Sequence, residues 1–161
     1  MYEMTIFAER STDDAMTFTQ HASSEGRGWQ GIQASIYDFS AGISVRPPSE
    51  TFRLLLHLSD VDDAECRCDG ISIRREIHAG DLDFVALGSA ASWHDRRAGR
   101  VASINIEPFF MHEVAARNGS SRTPIFSSRL GLRDPVLAHL ALALVHEVEA
   151  ETGEKEPEQN V

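Results

Sequence analysis

The chain is poor in positive charge, cysteine and long apolar runs. Among its 161 residues Lys155 is the single lysine, and 15 Lys and Arg face 25 Asp and Glu, for a formal net charge of −10. A surface that grips DNA needs clustered Lys and Arg to displace counterions from phosphates. Direct nucleic-acid contact by this chain is therefore not expected. The two cysteines, Cys66 and Cys68, lie two apart without a CxxC. At that spacing they share one face of a strand and make no structural zinc site; they read as free thiols in a reducing compartment. No stretch approaches the ~20 apolar residues of a membrane span. The first residues, MYEMTIFAERSTDD, carry acids too early for a signal peptide. A soluble, cytoplasmic protein is expected. No Ser-His-Asp set, phosphate loop or His-x-His is present. The acidic cluster Asp60, Asp62, Asp63 and Glu65 lacks the Gly and terminal Glu of a calcium loop and reads as a solvated turn.

The middle of the chain has the period of β-structure. Residues 1–30 are mixed and polar, with a short element possible over 5–9 and a turn-rich loop over 20–31. IQASIYDF at 32–39 is rich in β-branched and aromatic residues, and the prolines at 47 and 48 mark a break. FRLLLHL at 52–58 is the strongest strand. Phe52, Leu54, Leu56 and Leu58 share one face; Arg53, Leu55 and His57 share the other. Strands over 64–68 and 71–77 flank Asp69-Gly70, a dipeptide suited to a type I′ turn because both central residues take positive φ. Further strands are expected over 82–87 and 101–106. Several short strands separated by turn signals suggest a sandwich or barrel.

The last third has a helical period. Pro108 suits a first helical turn, and Asn118-Gly119 a stop. Asp134-Pro135 reads as N-cap and first residue of a second helix, whose Leu137, Leu140, Ala141, Leu144, Val145 and Val148 recur at 3.6-residue spacing. The expected layout is an N-terminal arm over 1–30, a β-sandwich over 31–107, a helical region over 108–152 and a disordered tail over 153–161.

GDLDFVALGSAASW at 80–93 looks like the GDL-x-LLPAG-x-PH-x-W signature of AraC-type N-terminal sensor domains, matching at Gly80, Asp81, Leu82, Phe84-Val85, Gly88 and Trp93. Three more segments resemble that family in order: 101–110 its strand into a short helix, SRLGLRDP at 128–135 its F-G-L-R-D-P, and VLAHLALALVHEVE at 136–149 the helix after it. GWQGIQASIY at 28–37 suits its opening strand. The resemblance implies a mostly β fold, a cupin-like double-stranded β-helix (jelly-roll sandwich) followed by one or two C-terminal α-helices. It implies a ligand-sensing domain of an AraC-type transcription regulator that binds a small organic effector, with no catalytic activity and no cofactor. This sequence departs from the pattern with Ala86 for Pro and Ala90-Ala91 for Pro-His. Metal-using cupins place a ligand at the position of Ala91, so no metal site is expected; His94 alone is one ligand where three or more are usual. The resembled regulators continue into a second helix and two helix-turn-helix units, whereas this sequence ends at Val161, as a cut piece or as a stand-alone sensor.

Arg53 and His57 become effector contacts if their strand face lines a cavity, and surface groups if it meets solvent. Trp93 and His94 close the GDL unit and, with Tyr37, are the aromatic and imidazole candidates for an organic ligand. Leu137, Leu140, Leu144 and Val148 are expected either to pack on the sandwich or to seal a homodimer, the latter implied by the resemblance. The alternative function is a small cupin enzyme, a metal-dependent isomerase or dioxygenase.

Overall fold

The computed structural model describes residues 15–122 and 124–152. The expected element over 5–9 and the expected disordered tail lie outside them. Among the described residues ten strands and two helices follow in the order β1 (Phe18–Ser23), β2 (Ile32–Phe39), β3 (Gly42–Arg46), β4 (Phe52–His57), β5 (Val61–Cys68), β6 (Ile71–Ile77), β7 (Leu82–Val85), β8 (Ala91–Asp95), β9 (Gly99–Ile106), α1 (Pro108–Arg117), β10 (Arg129–Leu132) and α2 (Pro135–Thr152).

Strands β2 to β9 pair as nested antiparallel couples: β2 with β9, β3 with β8, β4 with β7, β5 with β6. Cross-pairs β4–β9 and β5–β8 complete two sheets, β1-β2-β9-β4-β7-β10 and β3-β8-β5-β6. A long hairpin ribbon folded over itself in this way is the jelly roll, so the expected fold class holds. Residues 18–23 of the expected arm form an edge strand on β2. Residues 129–132 of the expected helical region cap the other edge on β7.

Alternation decides what each face meets. In the larger sheet Ala34 and Ile36, Leu54 and Leu56, Leu82, and Ala102 and Ile104 point outward, where Ala141, Val145 and Val148 of α2 cover them. Each fully buried aliphatic side chain of Val or Leu size contributes ~1.5–3 kcal/mol, so α2 is an integral layer of the domain. Val148 is wholly buried in this layer. It therefore seats on its own sheet, and the expectation that it faces a partner subunit is corrected. Leu137 and Leu144 also pack against this layer, whereas Leu140 is 62% exposed. Helix α2 starts as the sequence suggests, with Leu137 N–H donating to Asp134 Oδ1 at 3.0 Å. The β5–β6 turn likewise has positive φ at both Asp69 (50°) and Gly70 (77°).

The outer face of the smaller sheet is charged. Asp63 pairs with Arg74 and Arg96, Asp62 with Arg97, and Glu65 with Arg67. Most of the acidic cluster thus sits in strand β5, opened by a bulge at Asp63 (φ 55°), rather than in a turn. Among the described residues no helix is long and apolar enough to cross a membrane.

Candidate functional site

The inner faces of the two sheets line a half-open cavity of about 150 Å³. That is near the ~150 Å³ known to admit a benzene-sized molecule in a protein core. Its position follows from the same alternation. If Leu54 and Leu56 lie under α2, then Arg53, Leu55 and His57 must look inward. Val101, Ser103 and Asn105 of β9 and Tyr37 and Phe39 of β2 do the same, and Ser44, Trp93 and Asp95 close the space from the smaller sheet. The structure thus brings together four of the five proposed contacts: Arg53, His57, Trp93 and Tyr37.

His94 is the exception. Trp93 and Asp95 are buried inward on β8, so the residue between them points to the outer face, where its charge acts on Asp63. The expectation that His94 touches an effector is corrected on that ground. Trp29 packs beside α2's core, away from the cavity.

Asp83 organises the floor. It is wholly buried and inward-facing on β7. Its Oδ2 lies 3.0 Å from His57 Nε2 and accepts the Trp93 indole N–H at 3.0 Å. Its Oδ1 accepts Arg75 Nη2 at 2.5 Å and the Gly131 amide at 2.8 Å. Burial opposes ionisation, but the hydrogen bond and charge of His57, the Arg75 guanidinium and the Gly131 N–H outweigh it and hold this carboxyl well below the usual range. Asp83 is thus a fixed anion that orients two cavity-lining rings.

Asp95 is the opposite case. It is buried beside the cavity, and its Oδ1 has no hydrogen-bond partner among the described residues. Burial pushes its carboxyl up to about 6, with His57 and Arg75 pulling it back and Asp83 adding to the rise. His57 Nδ1 and Asn105 Oδ1 line the same cavity and are likewise buried without partners. Such atoms cost ~1–3 kcal/mol each when left unsatisfied, so three in one small space mark a place built to receive polar groups. Arg53 adds a half-buried guanidinium whose charge is penalised by burial and then by Arg46.

The cysteines take no part. Both are buried on β5, and burial pushes the Cys66 thiol up to about 12 and raises Cys68 as well, which leaves little thiolate for nucleophilic chemistry. Among the described residues no three His, Cys, Asp or Glu side chains converge as a metal site.

Asp83, Asp95, Asn105, Arg46 and Arg75 escape the sequence reading. The detectable signal was period 2 itself: once Trp93 is placed inside, Asp95 must follow it and His94 cannot.

No protein-family model matches the chain, and no curated protein matches it. Solved structures similar to it include a cupin domain from Schizosaccharomyces pombe (15% identity, TM-score 0.45, covering 68% of this chain and 75% of that one). Another is the cupin domain of an XRE-family transcriptional regulator from Enterobacter cloacae (15% identity, TM-score 0.44, 58% and 98%). A third is a cupin superfamily protein from Desulfitobacterium hafniense (13% identity, TM-score 0.43, 61% and 83%). The jelly-roll assignment rests on the strand order of this chain.

Proposed function

We propose that this chain is the ligand-sensing domain of an AraC-type regulator, a cytoplasmic, non-enzymatic module that binds a small organic effector inside the jelly roll and acts as a homodimer. One observation carries the reading: a small interior cavity whose buried polar atoms on His57, Asp95 and Asn105 have no partner within the described chain. The Asp83 hub suggests how occupancy is reported. His57 and Trp93 line the cavity and share Asp83 with Gly131 of β10, and β10 leads through Asp134 into α2. A ligand that favours one setting of His57 and Trp93 would bias the seating of β10 and α2, which requires different affinities for the two settings. The acidic surface leaves DNA contact to another domain or partner.

Thermal-shift screening of the full chain tests this. An effector at 100 times its dissociation constant stabilises by about 2.7 kcal/mol, and the shift disappears in Leu55→Trp, which fills the cavity. A broad panel of small organic molecules that leaves melting unchanged would overturn the reading.

A second reading, a small cupin enzyme, is favoured by the buried His57–Asp83 pair. A carboxylate on one imidazole nitrogen fixes the other for metal ligation or proton transfer, and His57 Nδ1 is the nitrogen that stands free. Stoichiometric Fe, Mn, Ni or Zn in purified protein, lost in His57→Ala, would reverse the ranking.

A further inference from the structure

The cavity is electrically polarised along its length. At one end Arg53 and Asn105 are cross-strand partners on β4 and β9, and Arg46 closes β3. On β5, β6 and β9 the cations are matched: Arg67 to Glu65, Arg74 to Asp63, Arg75 to Asp83 and Arg100 to Asp38; Arg129 of β10 is unmatched among the described residues but exposed. Arg53, half-buried, has no hydrogen bond or ion pair among the described residues. Arg46 lies over the Phe18 ring, 4.8 Å from its centroid, and has no carboxylate partner there either. In a chain with 25 acidic residues, two neighbouring arginines left unmatched on a cavity wall point to an anion supplied from outside. A guanidinium fork suits a carboxylate in particular, because it offers two parallel N–H donors.

The other end carries a carboxyl and an imidazole. Arg46 pairs with Ala91 and Gly42 with Asp95 in the β3–β8 register, so Asp95 stands four residues from the arginine end, roughly 13 Å at ~3.3 Å per residue. His57 is four residues from Arg53 on β4. There the partnerless Asp95 Oδ1 and His57 Nδ1 face the same space. A hydroxyl can donate to the one and serve the other, since it both donates and accepts. Between the two ends the walls are Leu55, Ser103 and Trp93, with Tyr37 level with His57, and a volume of about 150 Å³ admits one ring.

We propose that the cavity takes a small aromatic monocarboxylate, its carboxylate on Arg53 and Arg46 and a hydroxyl at its far end on Asp95 and His57. This deepens the sensor reading and rests on it.

Titration calorimetry of the full chain with three probe classes tests the proposal. The probes are 4-hydroxybenzoate and 4-hydroxyphenylacetate, their uncharged amides, and benzoate and phenylacetate without the hydroxyl; 4-hydroxybenzylamine supplies the opposite charge. The hydroxy acids are expected to bind at least tenfold tighter than the amides and severalfold tighter than the acids lacking the hydroxyl. Arg53→Gln should erase the preference for acid over amide, and Arg53→Lys should keep part of it. Asp95→Asn should weaken the hydroxy acids and leave benzoate unchanged. Amides or the amine binding as tightly as the acids, or an acid preference that survives Arg53→Gln, would overturn the ligand class and leave the sensor reading standing. No binding by any probe and none by a neutral panel, or binding that persists in Leu55→Trp, would overturn both.

Discussion

Two buried carboxylates some strands apart hold opposite preferences for a proton, and each predicts its own pH signature. Asp95 rises from its ordinary 3.8 to about 6, first through burial. Between those values the folded chain keeps a proton that the unfolded chain has released, so stability falls as pH rises through that window and stays lower above it. At ~1.4 kcal/mol for each pH unit that separates the two values, ionised Asp95 costs roughly 2–3 kcal/mol. Asp95→Asn is therefore expected to be more stable than the parent by about that amount at neutral pH and no more stable near pH 4, read from urea denaturation at both. A variant that destabilises equally at both would show that the carboxylate has found a partner. Asp83 carries the reverse sign. Its pKa is depressed by His57, Arg75 and Gly131 against the pull of burial, so its contribution is present above the ordinary carboxyl range and fades as pH falls through its folded value. Asp83→Ala strands Arg75 and His57 in the interior without a counter-charge, and removing one partner of a buried pair costs ~3–5 kcal/mol. The urea midpoint at neutral pH should fall accordingly; a loss under about 1 kcal/mol, the net worth of one ordinary hydrogen bond, would mean that the hub holds little.

At the level of elements, β10 is the joint between the interior and α2, and Gly131 is its tightest point. Its φ is +70°, and a Cβ there would stand 2.5 Å from Arg75 Nη1, the side chain that grips Asp83. Gly119 has a similar φ of +79° but nothing within 4 Å, so it isolates backbone strain from the clash. Gly119→Ala is expected to cost about 1 kcal/mol, the usual penalty for a left-handed position. Gly131→Ala should cost at least about 1 kcal/mol more, as overpacking does, and loosen amide protection over β10 in hydrogen exchange; equal losses would show that Arg75 moves aside freely. The elements themselves were readable unevenly, for a physical reason. Strand β6 and the Asp69-Gly70 turn were legible because local chemistry alone decides a hairpin. The two faces of β4 were legible too, yet both are apolar enough to be buried, so only the arrival of α2 from far along the chain settles which one looks into the cavity. Strands β3 and β8 were not recognised, since GISVR and ASWHD are short and mixed and take their identity from pairing with each other. Asp83 hid in plain view: a lone acid in a strand reads as surface until His57, Trp93, Arg75 and Gly131 converge from four other places in the chain.

Over the whole molecule the distribution of apolar surface argues for a partner subunit. Helix α2 buries Ala141, Val145 and Val148 on its own sheet while Val136 and Leu140 stay 70% and 62% exposed. Those two are one turn apart and share a face. Nearby in sequence, α1 exposes Phe109 and Val114, and Ile125 is almost wholly uncovered. Val136 and Leu140 together on one helix face, on a chain of net charge −10, are a candidate association surface, and α2's outward face is the part that shifts if Asp83 reports the cavity through β10. Sedimentation should therefore show a dimer at tens of micromolar. Val136→Asp with Leu140→Asp should shift it to monomer, with stability changed by about 1 kcal/mol or less because neither residue is in the chain's own core. Val148→Asp is the contrasting variant: it places an unpaired charge under α2 and should unfold the domain rather than merely split it. Dimers that resist the double substitution would move the interface off this helix, and a parent chain that sediments as a monomer at those concentrations would remove α2's outer face as the output surface and leave β10 with nothing to relay to.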